Sequence, residues 1–158
     1  LVGLHWWLSA RWARTLGQGW RALLVLGVLA AIALAVYATF LGTEGAAYRV
    51  LRRHGVNVFF GSSYVAQLVF LRALIRSGAL PRGLRLGMQS VCVAMLSLGL
   101  LHVAALAAIG GSDLQDRLEN ALEWQLGALL VAWYVLQALH WRRDGYRIQT
   151  TRQTALIP

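Results

Sequence analysis

The sequence predicts an all-α membrane protein: a four-helix transmembrane bundle with an N-terminal amphipathic interfacial helix. Three observations predict it. Four stretches contain no Asp, Glu, Lys or Arg: Ala22–Leu41, Gly55–Leu71, Leu86–Ser112 and Trp124–Trp141, of 20, 17, 27 and 18 residues. A bilayer core takes about 20 apolar helical residues, within a range of roughly 17–25. Apolar residues make up 58 % of the chain and its mean hydropathy is +0.57, above the ~45–50 % apolar content of a soluble domain. The charges that separate the stretches are also unevenly shared between their ends.

In a four-span topology, one side holds the N-terminus, the loop 72–85 and the C-terminal tail. Eleven arginines lie there against one acid, Asp144, a net of +10. The other side holds Arg49, Arg52, Arg53 and Arg117 against Glu44, Asp113, Asp116, Glu119 and Glu123, a net of −1. Basic residues accumulate on the cytoplasmic side of membrane proteins, so both termini are expected in the cytoplasm. All fifteen basic residues are Arg, which suggests a GC-rich bacterial genome and hence the bacterial inner membrane. The pI near 11.3 would suggest nucleic acid in a soluble protein; here the charges flank apolar spans, so no nucleic-acid partner is expected. Cys92 is the single cysteine, which excludes an intrachain disulfide. No cleavable signal peptide is expected, since the first apolar run is span-length and no A-x-A site follows it. The chain opens on Leu1 rather than Met, which leaves a segment upstream of it open.

The first element is an amphipathic interfacial segment over 1–21. Trp6, Trp7, Trp12 and Trp20 alternate with Arg11, Arg14 and Arg21. Such a helix is expected to lie in the cytoplasmic headgroup layer, with its indoles at the interface. The transmembrane domain over 22–142 follows. Span one carries Gly27, Ala31 and Ala35 at four-residue spacing, which lets another helix approach closely. The loop 42–55 could form three helical turns with Arg49, Arg52 and Arg53 on one face. Span two is the shortest and most polar, with Gly61, Ser62, Ser63, Tyr64 and Gln67, and is expected to pack inside the bundle. Pro81, Gly78, Gly83 and Gly87 mark a tight cytoplasmic turn. Span three ends at Gly110-Gly111. Ser112-Asp113-Leu114-Gln115 then matches a capping box, so the last helix is expected from Asp113 to about Trp141. Residues 143–158 read as a cytoplasmic tail.

The candidate site lies in the outer half: His102, Glu119, Glu123, Arg49, Arg52 and Arg53. Glu119 and Glu123 are one turn apart on one helix face, and His102 approaches them from the preceding span. Ionisable residues within a membrane mark functional sites; a structural ion-pair network between the arginines and the glutamates is the competing reading. A bis-His haem would need two histidines at one depth on facing helices. His5, His54, His102 and His140 form no such pair by sequence position. No cofactor is therefore expected, although a single pigment ligand at His102 stays open.

Two stretches carry a family resemblance. Leu118-Glu119-Asn120-Ala121-Leu122-Glu123-Trp124, running into an apolar helix that ends in basic residues, resembles the last span of the DRAM-like family (damage-regulated autophagy modulators and relatives). There an acid–Trp pair opens the final helix, and Glu123 and Trp124 occupy those positions here. Tyr48-Arg49-Val50-Leu51-Arg52-Arg53-His54-Gly55, followed by a polar span ending in Leu71-Arg72, is similar to that family's loop and following helix. The resemblance covers about a third of the chain and implies a non-enzymatic membrane role; the family has six spans where four are counted here.

Phosphate-binding loops, H-E-x-x-H, C-x-x-C and G-x-S-x-G motifs are missing from the sequence. The leading expectation is a non-catalytic scaffold or accessory subunit of a larger bacterial membrane assembly, with membrane lipid and other membrane subunits as partners. The alternative is a small-molecule, lipid or pigment binder using the outer-half cluster. A membrane enzyme with a Glu/His acid–base pair is a third reading.

Overall fold

The computed structural model describes residues 1–43, 45–78, 80–108 and 113–144, except for the side chains of 46, 49, 106–108, 113–116 and 119. Five helices follow in order: α1 (Val2–Thr15), α2 (Trp20–Thr39), α3 (Ala46–Ser77), α4 (Arg82–Ala108) and α5 (Asp113–Arg143). Four of them, α2 to α5, are long and apolar enough to cross a membrane. The all-α, four-span class expected from the sequence is the one observed. The last helix starts at Asp113, as the capping pattern suggests; Ser112 itself, Gly110-Gly111 and the tail 145–158 lie outside the described residues.

Local sequence explains the helix ends. The α1–α2 turn is built on Gly17 and Gly19, with φ of 68° and 66°. That left-handed conformation costs a side-chain-bearing residue most. The amides of Leu16 and Gly17 close the turn on the carbonyls of Ala13 and Arg14. Gly78 ends α3 in the same way, its N–H reaching the Ile75 carbonyl at 3.2 Å. Pro81 then precedes α4, where its missing N–H leaves no helical hydrogen bond unmade.

The long helices pack as antiparallel neighbours in chain order. At Gly55 the α3 backbone closes on α2. An added Cβ would stand 3.1 Å from both the Ala33 carbonyl oxygen and the Tyr37 nitrogen. Polar α3 is the central helix: half of its apolar window is buried, against 22 % in each of the other three. Ser62, Ser63 and Gln67 turn inward with it, as its composition suggests. The contact between α3 and α4 is much slighter than those of α2 with α3 or α4 with α5.

The N-terminal helix α1 packs closely against the bundle. It folds back along α2: Gly3 meets Ala31, and Trp6 sits directly over Gly27. Trp6, Ser9, Ala10 and Ala13 form its buried face, at 0–2 % exposure. Three- and four-residue spacing places them on one side of the helix, and that side is turned onto protein. The small-residue stripe of α2 thus receives α1. Arg11 and Arg14 stay exposed.

The main core gathers Trp6, Trp12, Leu23, Phe70, Leu74, Met88, Met95 and Trp133 from all five helices. A second cluster joins Ala30 and Ala33 of α2, Phe59 of α3 and Leu130 of α5. It fixes α5 against the middle of the first span.

Candidate functional site

A cavity of about 410 Å³ opens between α3, α4 and α5. Phe60, Met95, Leu96, Leu100, Val103 and Leu126 give it apolar walls. Asn57 and Tyr64 from α3, His102 from α4 and Glu123 from α5 bring polar groups to it. Depth follows from α5. Leu130 packs at the middle of α2, and Glu123 stands seven residues, roughly 10 Å, further toward the outer end.

The helices position these groups through simple periodicity. Asn57, Phe60, Gly61 and Tyr64 are spaced at i, i+3, i+4 and i+7, so they share one face of α3. Leu96, Gly99, Leu100 and Val103 repeat that spacing on α4, with Met95 and His102 beside them. Glu123 and Leu126 lie one turn apart on α5. Two lining residues are glycines, and a Cβ added at Gly61 or Gly99 would meet nothing within 4 Å. These positions keep the space open rather than allowing backbones to touch. Because α3 and α4 make little contact, the cavity opens sideways: Asn57, Gly61, Leu96, Leu100 and Val103 line it and are also exposed.

The structure therefore brings two of the six sequence candidates, His102 and Glu123, to one cavity. Both are half-buried. The His102 Nδ1 is shielded from solvent and has no hydrogen-bond partner among the described residues. Glu123 is engaged in an interaction of its own, as is Arg53. Arg53 lies one turn before Asn57 on α3 and is exposed; Arg52 is half-buried beside it. Neither lines the cavity described by the other residues. The side chains of Arg49 and Glu119, and with them the ion pairs expected of those two, lie outside the described residues.

A second polar region, at the other end of the bundle, has no counterpart in the sequence reading. The Trp133 Nε1–H donates to Gln137 Oε1 at 3.0 Å, and Gln137 Nε2 donates to Ser9 Oγ at 2.7 Å. The Ser9 hydroxyl donates in turn to the His5 carbonyl at 2.8 Å. The His5 ring packs on Tyr134 with centroids 4.2 Å apart, and Trp12 meets His140 edge-on at 5.4 Å. His140 approaches Asp144 at 3.4 Å. Burial pushes His5 down to about 4, the Gln137 side chain partly opposing the shift. His5 is therefore neutral at neutral pH. One signal for this region was present in the sequence: Trp133, Gln137 and His140 fall on one helical face, as do His5, Ser9 and Trp12. The pairing of those faces was not deducible from either alone.

Among the described residues, no group of three or more His, Cys, Asp or Glu could hold a metal ion. Cys92 is buried. No protein-family model, curated protein or solved structure matches this chain.

Proposed function

We propose that this protein is a non-catalytic integral membrane protein that holds an amphiphilic small molecule, such as a lipid, in the cavity between α3, α4 and α5. One observation carries the reading: His102 and Glu123 meet on a 410 Å³ cavity whose walls are otherwise largely apolar and whose side is open between α3 and α4. A concave apolar site with a few convergent polar groups is the usual form of a small-molecule site, commonly ~300–1,000 Å³. Ligand entry from the lipid side suits the exposed lining of α3 and α4. The head of the ligand meets a carboxylate, an imidazole, an amide and a phenol, and its chain meets Phe60, Met95 and Leu126.

The reading as a scaffold or accessory subunit of a larger assembly loses two of its supports. Span one's small-residue stripe and span two's polar face both find their helical neighbours within this chain. On the +10 to −1 charge split we place both termini in the cytoplasm of a bacterial cell, in its inner membrane. A distant relationship to the DRAM-like family rests on Glu123-Trp124 at the outer part of the last span and agrees with a non-enzymatic role.

Lipid extraction and mass analysis of protein purified in mild detergent tests the proposal. The wild type is expected to retain a stoichiometric amphiphile, and Gly99→Leu, which fills the cavity from a position with free space, is expected to lose it. Retention of the same molecule by a folded Gly99→Leu protein would overturn the assignment. Co-purification of stoichiometric protein subunits, with no retained small molecule, would restore the accessory-subunit reading.

A further inference from the structure

We infer that the α1–α2 corner is a binding site for one anionic phospholipid, whose phosphate is held by Arg14 and Arg21 around Trp20. This site is separate from the cavity and does not rest on the function proposed for it. The Arg14 guanidinium carbon lies 5.1 Å from the Trp20 ring centroid and that of Arg21 lies 5.3 Å from it. Both guanidiniums are thus held at one indole by cation–π contact, so the two charges stand no more than 10.4 Å apart, and one phosphate offers oxygens to both. Guanidinium is suited to this geometry, since it keeps its charge and presents paired N–H donors to phosphate oxygens. Both arginines are exposed, whereas Trp20 is half-buried and packs against the main core. The ring therefore anchors two otherwise free side chains to the folded body.

No carboxylate competes for them locally in the chain: residues 1–43 contain no Asp or Glu. Asp144, the single acid at this end, sits beside His140. The neighbouring surface supplies room for acyl chains. On the outward face of α1, Arg11 lies 4.9 Å over Trp7, and Leu4 follows one turn further from the arginine end. Leu4 and Trp7 are 55 % and 43 % exposed. Arg14, Arg11, Trp7 and Leu4 fall at three- and four-residue spacing, so they form one stripe, charged at the turn and apolar away from it. Because α1 runs back along α2, the stripe's apolar end points toward the middle of the first span. A phosphate at Arg14 and Arg21 with chains over Trp7 and Leu4 matches a phospholipid rather than a free anion. Trp20, at the arginine end, also suits the headgroup level, where amphipathic rings concentrate.

Native mass spectrometry from nanodiscs of mixed phosphatidylglycerol and phosphatidylcholine tests the site. Arg14→Gln with Arg21→Gln is compared with Arg82→Gln plus Arg85→Gln, which removes equal charge from the same end of the bundle. Both pairs are exposed, and unchanged melting in pure phosphatidylcholine discs verifies the fold. The wild type is expected to retain phosphatidylglycerol selectively. The Arg14/Arg21 variant is expected to lose roughly fivefold more of it than the Arg82/Arg85 variant, because diffuse attraction to an anionic surface counts every basic residue about equally. Equal losses in the two variants, or no selectivity in the wild type, would overturn the site. Stabilisation of the detergent-solubilised wild type by millimolar inorganic phosphate, matching that by phosphatidylglycerol, would overturn its assignment to a lipid.

Discussion

The Gln137 amide nitrogen donates to the Ser9 hydroxyl oxygen across 2.7 Å, inside the bundle and with both residues at 0 % exposure. This bond ties the last helix to the first, 128 residues away. It explains how a 14-residue helix holds its place. Alone, α1 is too short to be stable, since helices under about 12–15 residues are marginal in water. Trp6 over Gly27 and Ser9 under Gln137 give it two different anchors.

Ser9→Ala is expected to lower stability by about 1–3 kcal/mol, the range for a buried donor left without its acceptor. Gln137→Leu removes both the donor and the acceptor for Trp133, and is expected to cost a similar amount. Coupling through the shared bond should make the double variant less damaging than the sum of the two. Thermal melts of the four proteins in one detergent measure this; simple additivity would show that the bond contributes nothing of its own.

Gly27→Leu places a side chain where Trp6 already stands. Overpacking of a fitted contact costs about 1–3 kcal/mol. Trp6→Ala empties a fully buried site and is expected to cost about 3–5 kcal/mol. Combining the two should recover part of the loss, because the leucine then occupies the space the indole vacates. A double variant as unstable as the sum would place the two residues apart.

Acid should loosen α1. The His5 imidazole titrates near 4 in the folded protein, against 6.5 ordinarily, because burial disfavours its charged form. A lowered histidine resists the proton that the released state accepts. Its contribution is therefore fully present above pH 6.5 and is lost as pH falls from 6.5 toward 4. Melting midpoints at pH 7.5 and 5 are expected to differ in the wild type and to differ less in His5→Phe. Equal pH sensitivity in that variant would assign the effect to other groups.

In the cavity, Glu123→Gln keeps the shape and removes the charge. If the cavity holds an amphiphile, this variant should melt within about 1 kcal/mol of the wild type, as non-disruptive substitutions do, and bind its ligand at least tenfold more weakly. A large loss of stability with unchanged retention would instead place Glu123 in a structural ion pair.

Much of the architecture was legible in the chain, for reasons peculiar to lipid. A bilayer satisfies no backbone amide, so an apolar stretch of span length has to be helical. Uncharged runs consequently locate helices with little ambiguity, and Asp113 after Gly110-Gly111 locates the start of the last one. His102 and Glu123 could be picked out because few ionisable residues tolerate such depth. Asn57, Tyr64, Gly61 and Gly99 could not be assigned to the same site, because a glycine at a helix contact and a glycine lining a cavity read alike. In α2 and α3, Gly27 and Gly55 admit neighbours; Gly61 and Gly99 admit none.

The sequence by itself determined the helical class, the four spans, their order and the charge asymmetry between their ends. Those properties depend on residues near one another in the chain, or on totals along it. Only the tertiary structure decided which faces meet: that α1 turns Trp6 and Trp12 onto the other helices while Trp7 stays exposed, and that α3 and α4 part far enough to leave a cavity. Side chains on different helices are matched by volume and by hydrogen-bond geometry at a few contacts, such as Trp6 on Gly27 and Gln137 on Ser9. No periodicity within one helix encodes the partner on another.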